Sequence, residues 1–261
     1  MSNPEPNITV KVDVTNPGQF FACCGLLELA DRLWPGAEGW FTNGEFCISC
    51  EESLDDLLSE MREAHLEQID PDDDMASPIE LPEPFSLLLD WWTHGASAGK
   101  QLKVWAGSMR NVRIARAMQN AISDVQDPKW LFDHAAIVYD PDQPKKKVEP
   151  YYFDSRRGWN AQSLDIGFAP DSLNMTTAAY PAVEFLCLVG LERFRPAPTK
   201  KRRVFEYYTW PLPLPVLPAC VAACGLLPNT KFQGYRFESA FRTAQKKHKS
   251  FLPATPIGVS K

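Results

Sequence analysis

The chain has 261 residues, of which 44% are hydrophobic, with 8 Trp and 15 Phe; that is enough apolar side chain for a substantial core and excludes a largely disordered chain. No run of 18 or more apolar residues occurs, and Met1 to Asn7 lack the basic start and apolar stretch of an export signal, so a cytoplasmic protein without a membrane span is expected. The net charge of −6 conceals an asymmetry, because residues 1–90 carry 20 acidic against 3 basic side chains and residues 91–261 carry 13 acidic against 24 basic. A basic part of this kind suits a polyanion, and the acidic part suits solvent or a basic neighbour.

Ile8 to Val14 alternates apolar and polar residues and ends at Asn16-Pro17-Gly18, which predicts a first strand and a turn. Phe20 to Trp34 reads as a deeply packed helix stopped by Pro35-Gly36. Glu38–Phe41 and Glu45–Ser49 flank Thr42-Asn43-Gly44, a hairpin signal because Asn-Gly supplies the positive φ angles of a tight turn. Ser53 to Ile69 follows as an amphipathic helix with Leu54, Leu57, Leu58, Met61 and His65 near one face. The order β-α-β-β-α fits most of a ferredoxin-like or RRM-like unit, so residues 1–70 are expected to form an acidic unit of that kind.

Residues 71–84 combine an acidic run with prolines and read as a surface linker ahead of a basic α+β region, residues 85–261, which is expected to hold a second RRM-like half. Ser108 to Ile122 has helical spacing with Arg110, Arg113 and Arg116 as a basic flank. Tyr151 to Phe168 reads as two short strands around a basic, aromatic turn, Tyr180 to Phe194 as a second buried helix, and Val204–Trp210 and Phe232–Phe237 as strands. A degenerate tandem repeat is visible when Phe20 is set against Phe185, which superposes Gly25 on Gly190 and Leu26 on Leu191. A competing echo sets residues 22–27 against 222–227. The expected class is thus α+β with RRM-like elements.

Seven cysteines, an odd number, point to reduced and mostly buried thiols. Cys47 and Cys50 have half the spacing of a zinc site but no second pair completes it, and no cofactor or metal is expected. The four histidines form no hydrolase or paired-ligand pattern; His94, beside Trp91, Trp92 and a glycine-containing loop, is the best general acid or base. Gly95 to Gln101 lacks the full spacing of a phosphate-binding loop.

Four basic runs remain: Lys145–Lys147, Arg156-Arg157, Lys200–Arg203, and Lys246-Lys247-His248-Lys249. Tyr151, Tyr152 and Trp159 lie near the first two, and Tyr207, Tyr208 and Trp210 near the third. Cations that hold phosphates beside rings that stack bases are what single-stranded nucleic acid requires. The expected contacts are Lys100, Lys103, Trp105, Arg110, Arg113, Arg116, Arg156, Arg157, Lys200, Lys201, Arg202 and Arg203, with Tyr151 or Trp159 as stacking rings.

Residues 16–30 (NPGQFFACCGLLELA), Lys103–Gly107, Phe153–Arg157, Leu164–Phe168 and Tyr180–Glu184 together resemble a small subunit family of type I CRISPR systems, subtype I-G, formerly I-U. The resemblance implies a non-catalytic subunit of the crRNA-guided surveillance complex, with crRNA, target DNA, sibling subunits and a separate helicase-nuclease as partners. It leaves open a RAMP-type role, gripping the guide, and a reduced large-subunit role, reading the target-adjacent motif through Lys100, Arg110 and Arg113. Two other classes stand beside it: a metal-independent endoribonuclease using His94 or His248, and an adaptor that binds only protein.

Overall fold

The computed structural model describes residues 4–258 apart from 71, 73–75, 96–97, 107–108, 123–126, 158–177, 228–231, 243–245 and 247. In chain order the elements are β1 (Ile8–Lys11), α1 (Pro17–Leu33), β2 (Glu38–Thr42), β3 (Glu45–Ser49), α2 (Leu54–Glu63), β4 (Glu67–Gln68), β5 (Ile79–Leu81), β6 (Leu87–Leu89), α3 (Gly99–Leu102), α4 (Asn111–Ala121), β7 (Tyr139–Asp140), β8 (Gln143–Lys147), α5 (Pro181–Arg193), β9 (Ala197–Pro198), β10 (Val204–Tyr208), β11 (Leu214–Pro215), α6 (Val216–Ala223), β12 (Gly234–Phe241), β13 (Lys249–Phe251) and β14 (Thr255–Ile257). The chain is therefore α+β, as its periodicities predict. None of the described helices is long and apolar enough to cross a membrane.

Local chemistry explains the first elements. Asn16 caps α1 by accepting a hydrogen bond from the Gly18 amide at 3.1 Å, and Pro17 occupies the first helical turn, where its missing N–H costs nothing. The β2–β3 hairpin turns at Asn43 and Gly44, with φ of 43° and 80°. Ser53 and Asp56 form a reciprocal capping box on α2, which ends at Glu63 rather than Ile69, leaving His65 exposed.

The sheet order β1-β3-β2 is that of the first three strands of a ferredoxin-like unit, but among the described residues no fourth strand pairs with the other edge of β1. The next strand, β4, pairs instead with β5 in a separate sheet with β6, and β11 extends the far edge of β2. The stretch expected as a surface linker also behaves otherwise, because Ile79 and Leu81 of β5 are fully buried and belong to the same hydrophobic cluster as α1 and α5. The first and last thirds thus share one core.

That core is organised by the crossing of α1 and α5, the two helices of the 20/185 repeat, which touch at Gly25 and Gly190. At one end of the crossing Glu28, 1% exposed, pairs with Arg193 at 3.1 Å and with Arg32 at 2.9 Å. The competing echo fails structurally, since Gly225 lies beyond α6 with φ +71° rather than within a helix. A second layer of aromatic side chains, Phe20, Phe41, Phe46, Tyr207 and Trp210, joins β2 and β3 to β10. Tyr207 and Trp210 are buried there, with the Tyr207 hydroxyl donating to Val14 O and the Trp210 indole to Gly39 O, both at 2.7 Å.

Candidate nucleic-acid interface

Several basic residues singled out in the sequence prove to be structural. Arg156 places a fork on the buried Asp154, with Nε–Oδ1 at 3.0 Å and Nη2–Oδ2 at 2.7 Å, pairs with Asp133 at 2.7 Å and stacks at 3.4 Å on Tyr180. Asp154 is held in turn by Asn16 Nδ2 at 2.9 Å, and the amides of Phe153 and Asp154 donate to Glu184 at 3.1 Å. Burial pushes the Glu184 carboxyl up to about 7 against the pull of those amides, and the neighbouring Asp154 adds to the rise. Three segments that carry the family resemblance, around Asn16, Phe153–Arg157 and Tyr180–Glu184, therefore meet in one buried polar knot.

The basic flank of α4 is likewise spent within the fold. Arg113 lies 3.3 Å from the carboxylate of the buried Asp140, and Arg116 donates to Leu66 O at 2.7 and 3.1 Å, pinning α4 to the end of α2. Tyr151 is 1% exposed with its hydroxyl on Asn111, so its ring is inaccessible for stacking. The described part of the expected strand pair, residues 151–157, is a loop ending in a short 3-10 turn at Ser155–Arg157; Trp159 lies outside the described residues. Arg157 is half-buried and its Nε has no hydrogen-bond partner among the described residues. Arg110 is exposed at the start of α4, and Lys145–Lys147 are exposed along β8.

The remaining candidates converge. Lys100, Lys103, Trp105, Arg202 and Arg203 line a cavity of about 330 Å³ together with Gln101, Ala106, Phe241, Lys246 and Lys249. Three stretches far apart in sequence build it: α3 and the segment after it, the loop between β9 and β10, and the connection from β12 to β13. They are tied together by hydrogen bonds from the Arg203 amide to Gln101 Oε1 at 3.0 Å and from the Lys249 amide to Val104 O at 2.9 Å. Six cations surround this space, and its described lining includes no carboxylate.

Lys249 is the deepest of them, 8% exposed, with its ammonium donating to Lys100 O at 3.0 Å and Gln101 O at 2.6 Å. Burial first, then Arg203, Lys103 and Arg202, pull its pKa down to about 8. The rings are themselves paired with cations: Lys103 Nζ lies 5.0 Å from the Trp105 ring and the Arg203 guanidinium 4.6 Å from Phe241. Trp105 Nε1 and Arg203 Nε are buried without a hydrogen-bond acceptor among the described residues.

The loop between β9 and β10 divides its cations between two cavities. Lys200 and Lys201 line a separate one of about 660 Å³ with Arg236, Phe237 and Glu238, on which Lys201 closes at 3.3 Å. Arg203 lies 3.8 Å from the other oxygen of the same Glu238. Lys246 and Lys249, absent from the expected contacts, are the additions the fold makes to the site; the signal for them is Phe241, five positions ahead of Lys246.

Burial pushes the thiols of Cys23, Cys24 and Cys187 well up, and those of Cys47 and Cys50 up as well, so none is biased toward thiolate. Among the described residues no three His, Cys, Asp or Glu side chains gather as metal ligands do. His94 is exposed and pairs with Asp90 at 3.2 Å. Comparison of the chain with protein-family models, with curated proteins and with solved structures finds no match.

Proposed function

We propose that this protein binds nucleic acid through the cavity walled by Lys100, Lys103, Arg202, Arg203, Lys246 and Lys249, without chemistry of its own. The observation that carries the reading is the convergence of six cations from three separate stretches on one space whose described lining includes no carboxylate. Such an arrangement raises local phosphate concentration, and phosphate neutralisation in turn relieves the mutual repulsion of the cations. Phe241, half-buried in the same walls, adds a face against which a base or ribose packs, whereas Trp105, 3% exposed, is closed to stacking as Tyr151 is.

In line with the resemblance of residues 16–30, 153–157 and 180–184 to the subtype I-G CRISPR family, the proposed setting is a cytoplasmic crRNA-guided surveillance complex, with guide RNA or target DNA at the cavity. The face of α6 supports a multi-subunit setting: Leu217 and Val221, one turn apart, are 67% and 41% exposed beside Leu212 and Leu226 at 56% and 73%. The test is fluorescence anisotropy with labelled single-stranded RNA and DNA over a salt series, alongside sequencing of RNA retained on co-purification with neighbouring gene products. Affinity that falls steeply with salt and is lost in a Lys103→Ala, Arg202→Ala double variant is expected. Cleavage of repeat RNA in EDTA that disappears in His94→Ala would instead establish the endoribonuclease.

A further inference from the structure

We infer that the basic cavity receives the end of a nucleic-acid strand, a terminal phosphate monoester, rather than an internal diester linkage of a strand passing through. The inference rests on the nucleic-acid reading above and narrows it to one chemical group.

The first ground is charge density. An internal linkage brings one negative charge into a space of about 330 Å³ that six cations surround, whereas a monoester brings about two at neutral pH. The described lining supplies no carboxylate to make up the difference. Glu238 touches Arg203 from outside that lining, at 3.8 Å, and shares its charge with Lys201.

Depth is the second ground. Exposure falls from rim to floor: Lys100, Arg202 and Lys246 are exposed, Lys103 and Arg203 are half-buried, and Lys249 is 8% exposed. A phosphate with one ester arm reaches the floor while its strand leaves over the rim. A diester must bring two arms down and carry both out. The Lys249 ammonium has three N–H groups and spends two on Lys100 O and Gln101 O, so the third remains to meet a phosphate oxygen. These two carbonyls fix the ammonium in place before the ligand arrives, which lowers the ordering cost of binding.

The third ground is volume. The cavity lies near the lower end of the range for small-molecule pockets and accommodates a nucleotide rather than a run of bases. Phe241, half-buried in the wall, flanks the sugar or base attached to that phosphate.

Short single-stranded oligonucleotides of one sequence, carrying a 5′-phosphate, a 3′-phosphate or neither, are titrated into the full chain at low salt, together with a nucleoside monophosphate. The expected result is at least about tenfold tighter binding of one end-phosphorylated form than of the unphosphorylated strand, a margin that one added charge-assisted hydrogen bond supplies. That margin is expected to shrink in Lys249→Met and, where this buried substitution unfolds the chain, in the exposed-rim variant Arg202→Gln. Equal affinity for all three strands overturns the terminal-phosphate inference while leaving nucleic-acid binding intact. A nucleoside monophosphate that binds as tightly as the phosphorylated strand overturns it in favour of a free nucleotide. Absence of binding by every strand removes the nucleic-acid reading itself.

Discussion

Gly25 and Gly190 sit against each other where α1 crosses α5, and a Cβ on either would lie 2.0 Å from a carbonyl oxygen of the opposite helix, Leu186 for Gly25 and Phe21 for Gly190. Each oxygen belongs to the residue four positions before the facing glycine, so the crossing has a local two-fold symmetry. The repeat that sets Phe20 against Phe185 is thus realised as a helix pair related across its own interface. Gly25→Ala or Gly190→Ala meets main chain, which cannot rotate away. Each is expected to lower stability by about 2 kcal/mol or more, despite the better helix propensity of alanine. Urea midpoints measure this, and the double variant should be destabilised by less than the sum because the first substitution already parts the helices.

Glu184 makes stability depend on pH in a defined direction. Its carboxyl titrates near 7 in the folded protein and near its ordinary value of 4.5 when unfolded, so between those values the folded state holds the extra proton. Stability contributed by this group is therefore greatest below about pH 4.5 and is lost as pH rises towards 7, with a slope of up to about 1.4 kcal/mol per pH unit. Denaturation midpoints of the parent and of Glu184→Gln across pH 5–7.5 check it: the parent should decline relative to the variant.

The cavity cations and the knot arginine Arg156 should separate cleanly. Removing Lys103 or Arg202 is expected to weaken nucleic-acid binding and to reduce the slope of log affinity against log salt by about 0.7–0.9 for each phosphate that is no longer neutralised. Arg156→Ala strands the buried Asp154 carboxylate and should cost about 3 kcal/mol of stability with the salt slope unchanged. Calorimetry and anisotropy on the same preparations give both readouts.

Ligand affinity should also fall with alkaline pH. Lys249 loses its proton near pH 8 in the unliganded protein, and a bound anion favours the charged form, so binding weakens as pH climbs from 8 towards 10. Lys249→Arg is expected to flatten that profile, since a guanidinium keeps its charge. Stability of the unliganded chain moves the other way, because between about 8 and about 10.4 the unfolded state binds more protons than the folded one.

Elements whose information is local are legible in the sequence. Asn43-Gly44 names the hairpin, Ser53 and Asp56 name the start of α2, and unbroken apolar runs name α1 and α5. The end of α2 is not legible, because Ala64 to Leu66 keep an amphipathic pattern while Arg116 from α4 captures the Leu66 carbonyl. Acid and proline suggest a linker over residues 71–84, yet within it Ile79 and Leu81 alternate as a strand does and bury against distant residues. For the site, composition indicates that cations abound but not which are already paired. Arg113, Arg116 and Arg156 answer buried acceptors within the fold, whereas Lys249 and Phe241 enter the cavity only because β12 and β13 return beside Val104.

The α1–α5 crossing also governs how the chain emerges during synthesis. A helix of 17 residues whose first eleven carry no charge is complete by Leu33, but the helix it packs against ends at Arg193. At about 5–20 residues per second the interval between them is roughly 10–30 s. Throughout it the face of α1 around Gly25 lacks its native cover, so the nascent polypeptide offers a prolonged landmark to ribosome-associated chaperones.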